Sequence, residues 1–124
     1  MTFVLDTHPL VFYLLEPSRL SPKVQLLFAD TAHRFLIPTM SIMEIGYLVE
    51  VGRIETDMRQ VVGYVHNDTS CEIVGFGTEE LYETIECSTR DPFDRIILAT
   101  AKARSLPIVT RDRWMRRNYD QAVW

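Results

Sequence analysis

Four acidic residues have the type and placement to hold a cation: Asp6, Glu44, Asp94 and Asp112. Asp6 closes the apolar run Phe3-Val4-Leu5, and Asp112 follows Val109-Thr110-Arg111. Asp6, Asp94 and Asp112 are expected at one edge of a sheet, and Glu44 in the first turn of a helix that begins just after another strand. Carboxylates brought close together resist ionising, so a chain that gathers them generally holds a positive ion among them. Without clustered His or Cys, an all-oxygen set selects hard cations such as Mg²⁺ or Mn²⁺. Such ions commonly serve phosphoryl transfer and phosphodiester hydrolysis.

Each carboxylate also has an ordinary structural role open to it. Asp6 and Asp112 are each placed to cap a following helix. Asp91, before Pro92, is the expected N-cap of a helix in which Asp94 takes the third position, where the helix dipole favours an acid. Ser41-Ile-Met-Glu44 is a capping-box pattern, in which Glu44 would turn back to the helix's own amide and be poorly aimed at a metal. Thr110 could cap a helix or hydrogen-bond a carboxylate. His8, beside Asp6, reads as a hydrogen-bonded helix-start residue rather than a ligand. His33 and His66 read as surface residues at helix ends.

The elements that must position these groups alternate between strand and helix. Strands are expected at Thr2 to Leu5, Phe35 to Ile37, Glu72 to Phe76, Leu106 to Val109 and, at the edge, Gln121 to Trp124. Helices are expected from His8 to Leu15, Ser21 to Ala32, Ser41 to Val51 with Gly52 closing it, Thr56 to Asn67, Thr78 (as its cap) to Cys87, Asp91 to Arg104, and Asp112 to Asn118. The alternation predicts a parallel sheet with helices on both faces. In such sheets, sites form beyond the carboxyl ends of the strands, which is where Asp6 and Asp112 fall.

The 124 residues suit one domain, 1–124, and 47% apolar with 24% charged residues is ordinary for a soluble globular chain. Cys71 and Cys87 lack metal-site spacing and read as buried small hydrophobes in a reducing compartment. No targeting segment or membrane span is expected, since the longest apolar run falls far short of the ~20 residues a bilayer requires. A cytoplasmic location follows. The net charge of −4 is unevenly spread. Residues 1–87 hold 5 basic and 13 acidic side chains, and residues 88–124 hold 8 basic and 4 acidic. A basic C-terminal third on an acidic body is compatible with a local phosphate-binding face, and equally with solvated helix surfaces.

At these residues the chain resembles the PIN domain family, and within it the VapC-type ribonuclease toxins of toxin–antitoxin pairs. The resemblance spans nearly the whole chain. It rests on Leu5-Asp6-Thr7-His8, on Ser41-Ile-Met-Glu44-Ile, on Arg90-Asp-Pro-Phe-Asp-Arg-Ile-Ile-Leu-Ala99, and on Leu106-Pro-Ile-Val-Thr-Arg-Asp112. It implies a PIN-like three-layer α/β/α sandwich around a mostly parallel sheet of four to five strands. It also implies a Mg²⁺- or Mn²⁺-dependent endoribonuclease whose ligands fall on Asp6, Glu44 and Asp94, with Asp112 a more variable fourth. Asp91 matches a frequent residue of the motif that is not a ligand, and Thr110 a common hydroxyl near the site. A homodimer and a small VapB-type antitoxin that inserts a segment at the site are implied as partners. Met43 and Thr89 depart from the aromatic residue and the His often found at those positions in similar chains.

Thr7, Arg90, Arg95, Thr110, Arg111 and Arg113 are the expected contacts to RNA, with Arg116 and Arg117 as further phosphate contacts or plain surface charge. Two other readings compete. A receiver or haloacid-dehalogenase-type phosphatase also uses a strand-end Asp. The phosphatase, however, needs an acid two positions later, where this chain has His8, and the receiver a late-strand Lys, where it has Thr110-Arg111. A non-catalytic PIN-like module that binds RNA or protein is the other.

Overall fold

The structure is a computed structural model that describes residues 1–124. The chain runs β1 (Thr2–Leu5), α1 (Thr7–Leu15), a 3-10 turn (Pro17–Arg19), α2 (Pro22–Ala29), β2 (Arg34–Pro38), α3 (Thr39–Glu50), α4 (Met58–Asn67), β3 (Cys71–Val74), α5 (Thr78–Ile85), α6 (Pro92–Arg104), β4 (Ile108–Val109), α7 (Arg113–Asn118) and β5 (Ala122–Val123). The five strands form one sheet in the order β3-β2-β1-β4-β5, and every pairing is parallel. The three-layer α/β fold expected from the sequence is therefore the one observed.

Alternation along the central strand builds two cores. Phe3 and Leu5 point to one face, where they pack with Phe35, Ile37, Leu10, Val24, Val61 and Val65. Val4 points to the other, with Ile97, Leu98, Ala101, Ile108 and Met115. A period of two along a strand buried on both sides requires this division. The chain passes from β1 to β2 on one side, and β4 lies on the other. Strand order thus reverses at β1, and a crevice opens beyond the carboxyl ends of β1 and β4, the usual place for a site in such sheets.

Several element ends differ from expectation, each for a local reason. Helix α2 stops at Ala29 rather than Ala32, because Asp30 turns extended and its carboxylate accepts from the Ala32 amide at 2.9 Å, an Asx turn in place of a last helical turn. Helix α4 starts at Met58, capped by Asp57, rather than at Thr56. Helix α5 is entered from Gly77, not Thr78, with the Gly77 amide donating to Glu80 Oε2 at 2.9 Å, and it ends at Ile85. Strand β3 ends at Val74, before Gly75, and β4 is only Ile108–Val109. Gly52, at φ 77°, takes the left-handed conformation that closes α3 as predicted. His33 is not at a helix end. It lies in the α2–β2 connection with its ring edge-on to Phe3, centroids 5.2 Å apart, while His66 is exposed in the last turn of α4. Cys71 is only half-buried and Cys87 is buried, and both are free thiols. No helix is long and apolar enough to cross a membrane.

Candidate metal centre

Asp6 leaves β1 and caps α1, accepting from the Thr7 amide through Oδ1 at 2.8 Å. Its Oδ2 accepts from the Thr110 hydroxyl at 2.6 Å, across from the end of β4. The cap role and the site role therefore coexist. Each carboxylate oxygen has a further lone pair free for a cation. Burial pushes the Asp6 carboxyl above the ordinary carboxylate range, although the Thr110 and Thr7 hydrogen bonds pull the other way.

Glu44 corrects the sequence reading. Helix α3 begins at Thr39 with Pro38 at its N-cap position and no side-chain cap, so Glu44 lies in the second turn and not the first. The capping box does not form. The Ser41 hydroxyl instead donates to the Leu5 carbonyl at 2.9 Å, fastening α3 to the end of β1, and Glu44 Oε2 accepts a close hydrogen bond from the Thr7 hydroxyl. Released from its own helix, the carboxylate faces the crevice. Burial is the main reason that its pKa is raised, with Asp6 and Asp91 adding to it.

Asp94 comes from the first turn of α6, at the third position expected from Asp91-Pro92. Asp91 caps that helix, accepting from the Phe93 and Asp94 amides at 2.9 and 3.1 Å. The Asp94 carboxylate itself makes no hydrogen bond and no ion pair. Burial first, then the charges of Asp6, Asp91, Asp112 and Glu44, push its pKa up to about 8.

One carboxylate oxygen from each of Asp6, Glu44 and Asp94 lies within 4.8 Å of the other two. None of the chain's three ion pairs, Arg19–Glu16, His33–Asp30 and Arg104–Glu80, touches this group. Asp112 stands just outside it. Its Oδ1 caps α7 through the Met115 amide at 2.8 Å, while its charge still raises Asp6 and Asp94. Three oxygen donors, partly desolvated and without a protein cation, fit a hard divalent ion and match poorly anything neutral or anionic.

The predicted RNA contacts divide sharply. Thr7 and Thr110 are fully buried and spend their hydroxyls on Glu44 and Asp6, and neither lines the cleft. Arg95 turns away: its Nε and Nη2 donate to the Thr89 carbonyl at 3.0 and 2.7 Å, pinning the loop before α6. Arg90 is exposed but does not line the cleft. Arg111, Arg113 and Arg117 do line it, together with Arg19, Arg53, Phe12 and Tyr47. Those last four were not singled out from the sequence, and no local pattern marks them. His8 also lines the cleft. It makes no hydrogen bond, contrary to expectation, and burial followed by the nearby Arg111 and Arg19 charges lowers its pKa.

Comparison with known proteins gives the same frame. The sequence matches the PIN domain family over residues 3–121. No curated protein matches it in sequence. Its fold is similar to that of VapBC2 from Rickettsia felis bound to a promoter DNA fragment, with a TM-score of 0.72, 16% identity, and coverage of 100% of this chain and 98% of that one. It is also similar to a toxin–antitoxin complex from Klebsiella pneumoniae (TM-score 0.68, 17% identity, 98% and 96% covered). DNA-bound VapBC from Salmonella typhimurium is a third such structure (TM-score 0.62, 18% identity, 97% and 91% covered).

Proposed function

The chain belongs to the PIN domain family, and from its site we propose that it is a Mg²⁺- or Mn²⁺-dependent endoribonuclease, the toxin of a VapBC-type pair. The observation that carries this reading is the convergence of Asp6, Glu44 and Asp94 oxygens, with no cation of the protein's own, at the crevice beyond β1 and β4. These three side chains would hold the ion, with Asp112 adding negative charge beside them. When bound, a divalent ion supplies Lewis acidity toward water and toward phosphoryl oxygen.

The chain's own residues do the remaining work. Thr110 and Thr7 fix the carboxylates of Asp6 and Glu44 in orientation, as outer groups around metal sites do. The cleft, of about 1690 Å³, exceeds the roughly 300–1,000 Å³ usual for a small-molecule pocket, which suits a polymer. Arg19, Arg53, Arg111, Arg113 and Arg117 line the same cleft as the carboxylates, so a polyanion can be held by its backbone while its phosphorus approaches the carboxylates. Similarity in fold to VapBC and toxin–antitoxin structures supports a VapB-type antitoxin as the partner; a homodimer acting in the cytoplasm is part of the same proposal.

The test is incubation of the purified protein with a mixed single-stranded RNA pool, with and without Mg²⁺ or Mn²⁺, followed by mapping of the cut sites. Cleavage that depends on the ion and disappears in Asp94→Asn is expected. Equal cleavage by the folded variant would remove Asp94 from the site, and RNA binding with no cleavage under any ion would favour a non-catalytic module.

A further inference from the structure

We propose that Phe12 is a platform that holds Arg19 and Arg111 as a two-guanidinium clamp for a backbone phosphate of the RNA, which makes Phe12 a positioning residue of the cleft. The clamp rests on the ribonuclease reading above for the identity of its ligand, and on separate residues for its geometry.

Phe12 lies on α1, six residues beyond Asp6, with only 2% of its surface exposed. The Cζ atom of Arg19 lies 4.3 Å from its ring centroid and that of Arg111 4.9 Å, well inside the ~6 Å reach of a cation–π contact. The two arginines arrive from distant parts of the chain, one from the 3-10 turn after α1 and the other from the connection between β4 and α7. A guanidinium laid on an aromatic ring keeps its N–H edge free, and that edge is the part that matches a phosphate in a forked pair of bonds.

Two like charges on one ring repel, and the protein does little to offset them. Arg111 makes no hydrogen bond or ion pair. Arg19 has only the exposed Glu16, at 3.7 Å. The His8 ring lies 6.2 Å from that of Phe12 and carries no acid to offset them. Both cations line the cleft. This is the positive counterpart of the carboxylate cluster: two like charges gathered with one exposed acid between them. The two are joined through the backbone, because Thr110, which holds Asp6, immediately precedes Arg111. Clamp and carboxylates line one cleft, so a strand held at the clamp runs past the carboxylates.

The experiment measures fluorescence anisotropy of a labelled single-stranded RNA oligonucleotide against salt without divalent ion, and KM and kcat with Mn²⁺. The proteins are wild type, Arg19→Gln, Arg111→Gln and Phe12→Leu. Each arginine variant should weaken binding and raise KM about tenfold, as loss of a charge-assisted hydrogen bond does, with kcat changed less than KM. Each should also reduce the slope of log K against log salt by about 0.7, the value for one phosphate on a single strand. Phe12→Leu, which keeps both charges, should preserve most of the slope while raising KM. An unchanged slope and KM in both arginine variants overturns the clamp. An unchanged KM in a folded Phe12→Leu overturns the platform. Should Phe12→Leu fail to fold, Arg111→Lys replaces it: slope kept and KM raised supports stacking, and KM unchanged refutes it. If the wild type cuts no RNA while the binding losses appear as stated, the ribonuclease reading fails and the clamp stands.

Discussion

Glu80 and Asp94 occupy the same position, the third residue of a helix, and the protein treats them in opposite ways. Glu80, on α5, accepts from the Gly77 amide at 2.9 Å and pairs with Arg104 at 2.6 Å. Burial pushes its pKa up, but backbone hydrogen bonds and Arg104 outweigh that and hold it below the usual range. Asp94, on α6, has neither partner, and its pKa is driven up to about 8. The helix dipole favours an acid at both positions, so the difference is tertiary. Arg104 ends the very helix that Asp94 begins, which places the cation at the far end from the carboxylates that would use it. A structural carboxylate is given its counter-charge. At the crevice, three carboxylates are brought together without an ion pair, as the proposed cation site requires.

The largest expected effect separates the two acids by function. Asp94→Asn or Asp6→Asn should lower metal-dependent RNA cleavage by roughly 10²-fold or more, on the scale of losing one stabiliser of transition-state charge, whereas Glu80→Gln in folded protein should leave kcat within about threefold. Cleavage rates on one RNA substrate check both.

Stability should reverse the order. Arg104→Met leaves Glu80 buried without its cation and should destabilise the fold by about 2–3 kcal/mol, somewhat less than the loss of one partner from a fully buried pair, because Arg104 is partly exposed. Urea unfolding measures it. A variant as stable as wild type would erase the structural side of the contrast.

A smaller effect is expected at the residues that aim the carboxylates. Thr110→Val removes the hydroxyl on Asp6 Oδ2 and should weaken Mn²⁺ affinity by about 10-fold or more, as loss of outer groups does at metal sites. Titration calorimetry reads this directly.

The pH dependence without metal separates the two acids once more. The folded Asp94 pKa is raised from 3.8 to about 8, so the folded state holds a proton that the unfolded state has released. Its contribution is fully present below the unfolded value and is lost as pH rises through the folded one. Between about pH 4 and pH 8 the metal-free Tm should therefore fall through this group, and Asp94→Asn should flatten the decline. A metal-free Tm that rises across that window to the same extent in both proteins would contradict the shift.

Where the sequence was readable, a local signal agreed with the tertiary outcome. Asp91-Pro92 starts α6 and Ser21-Pro22 starts α2 where the capping rules place them, and the apolar runs give β1 and β2. Glu44 misled because Ser41 and Glu44 satisfy a local capping rule that the fold does not use. The Ser41 hydroxyl is drawn to Leu5 on the neighbouring strand, a contact invisible in the local pattern. Arg95 misled by adjacency to Asp94, since neighbours on a helix point about 100° apart. Arg19 and Phe12 gave no signal, because what matters is the meeting of the 3-10 turn and the β4–α7 connection over one ring. The carboxylates were legible as types at strand and helix ends, and their convergence required the strand order to reverse at β1.

Asp6, Glu44 and Asp94 converge without a counter-charge, and thermal unfolding of wild type and Asp94→Asn at pH 8 with and without millimolar Mn²⁺ tests most directly whether they bind a cation. An ion bound only by the folded state stabilises it, by about 2.7 kcal/mol at a hundredfold excess over Kd. Wild type should therefore gain several degrees in Tm with Mn²⁺, while the variant, already relieved of one repelling charge, should start higher and gain little. No gain in wild type, or an equal gain in both, would contradict the assignment of the site.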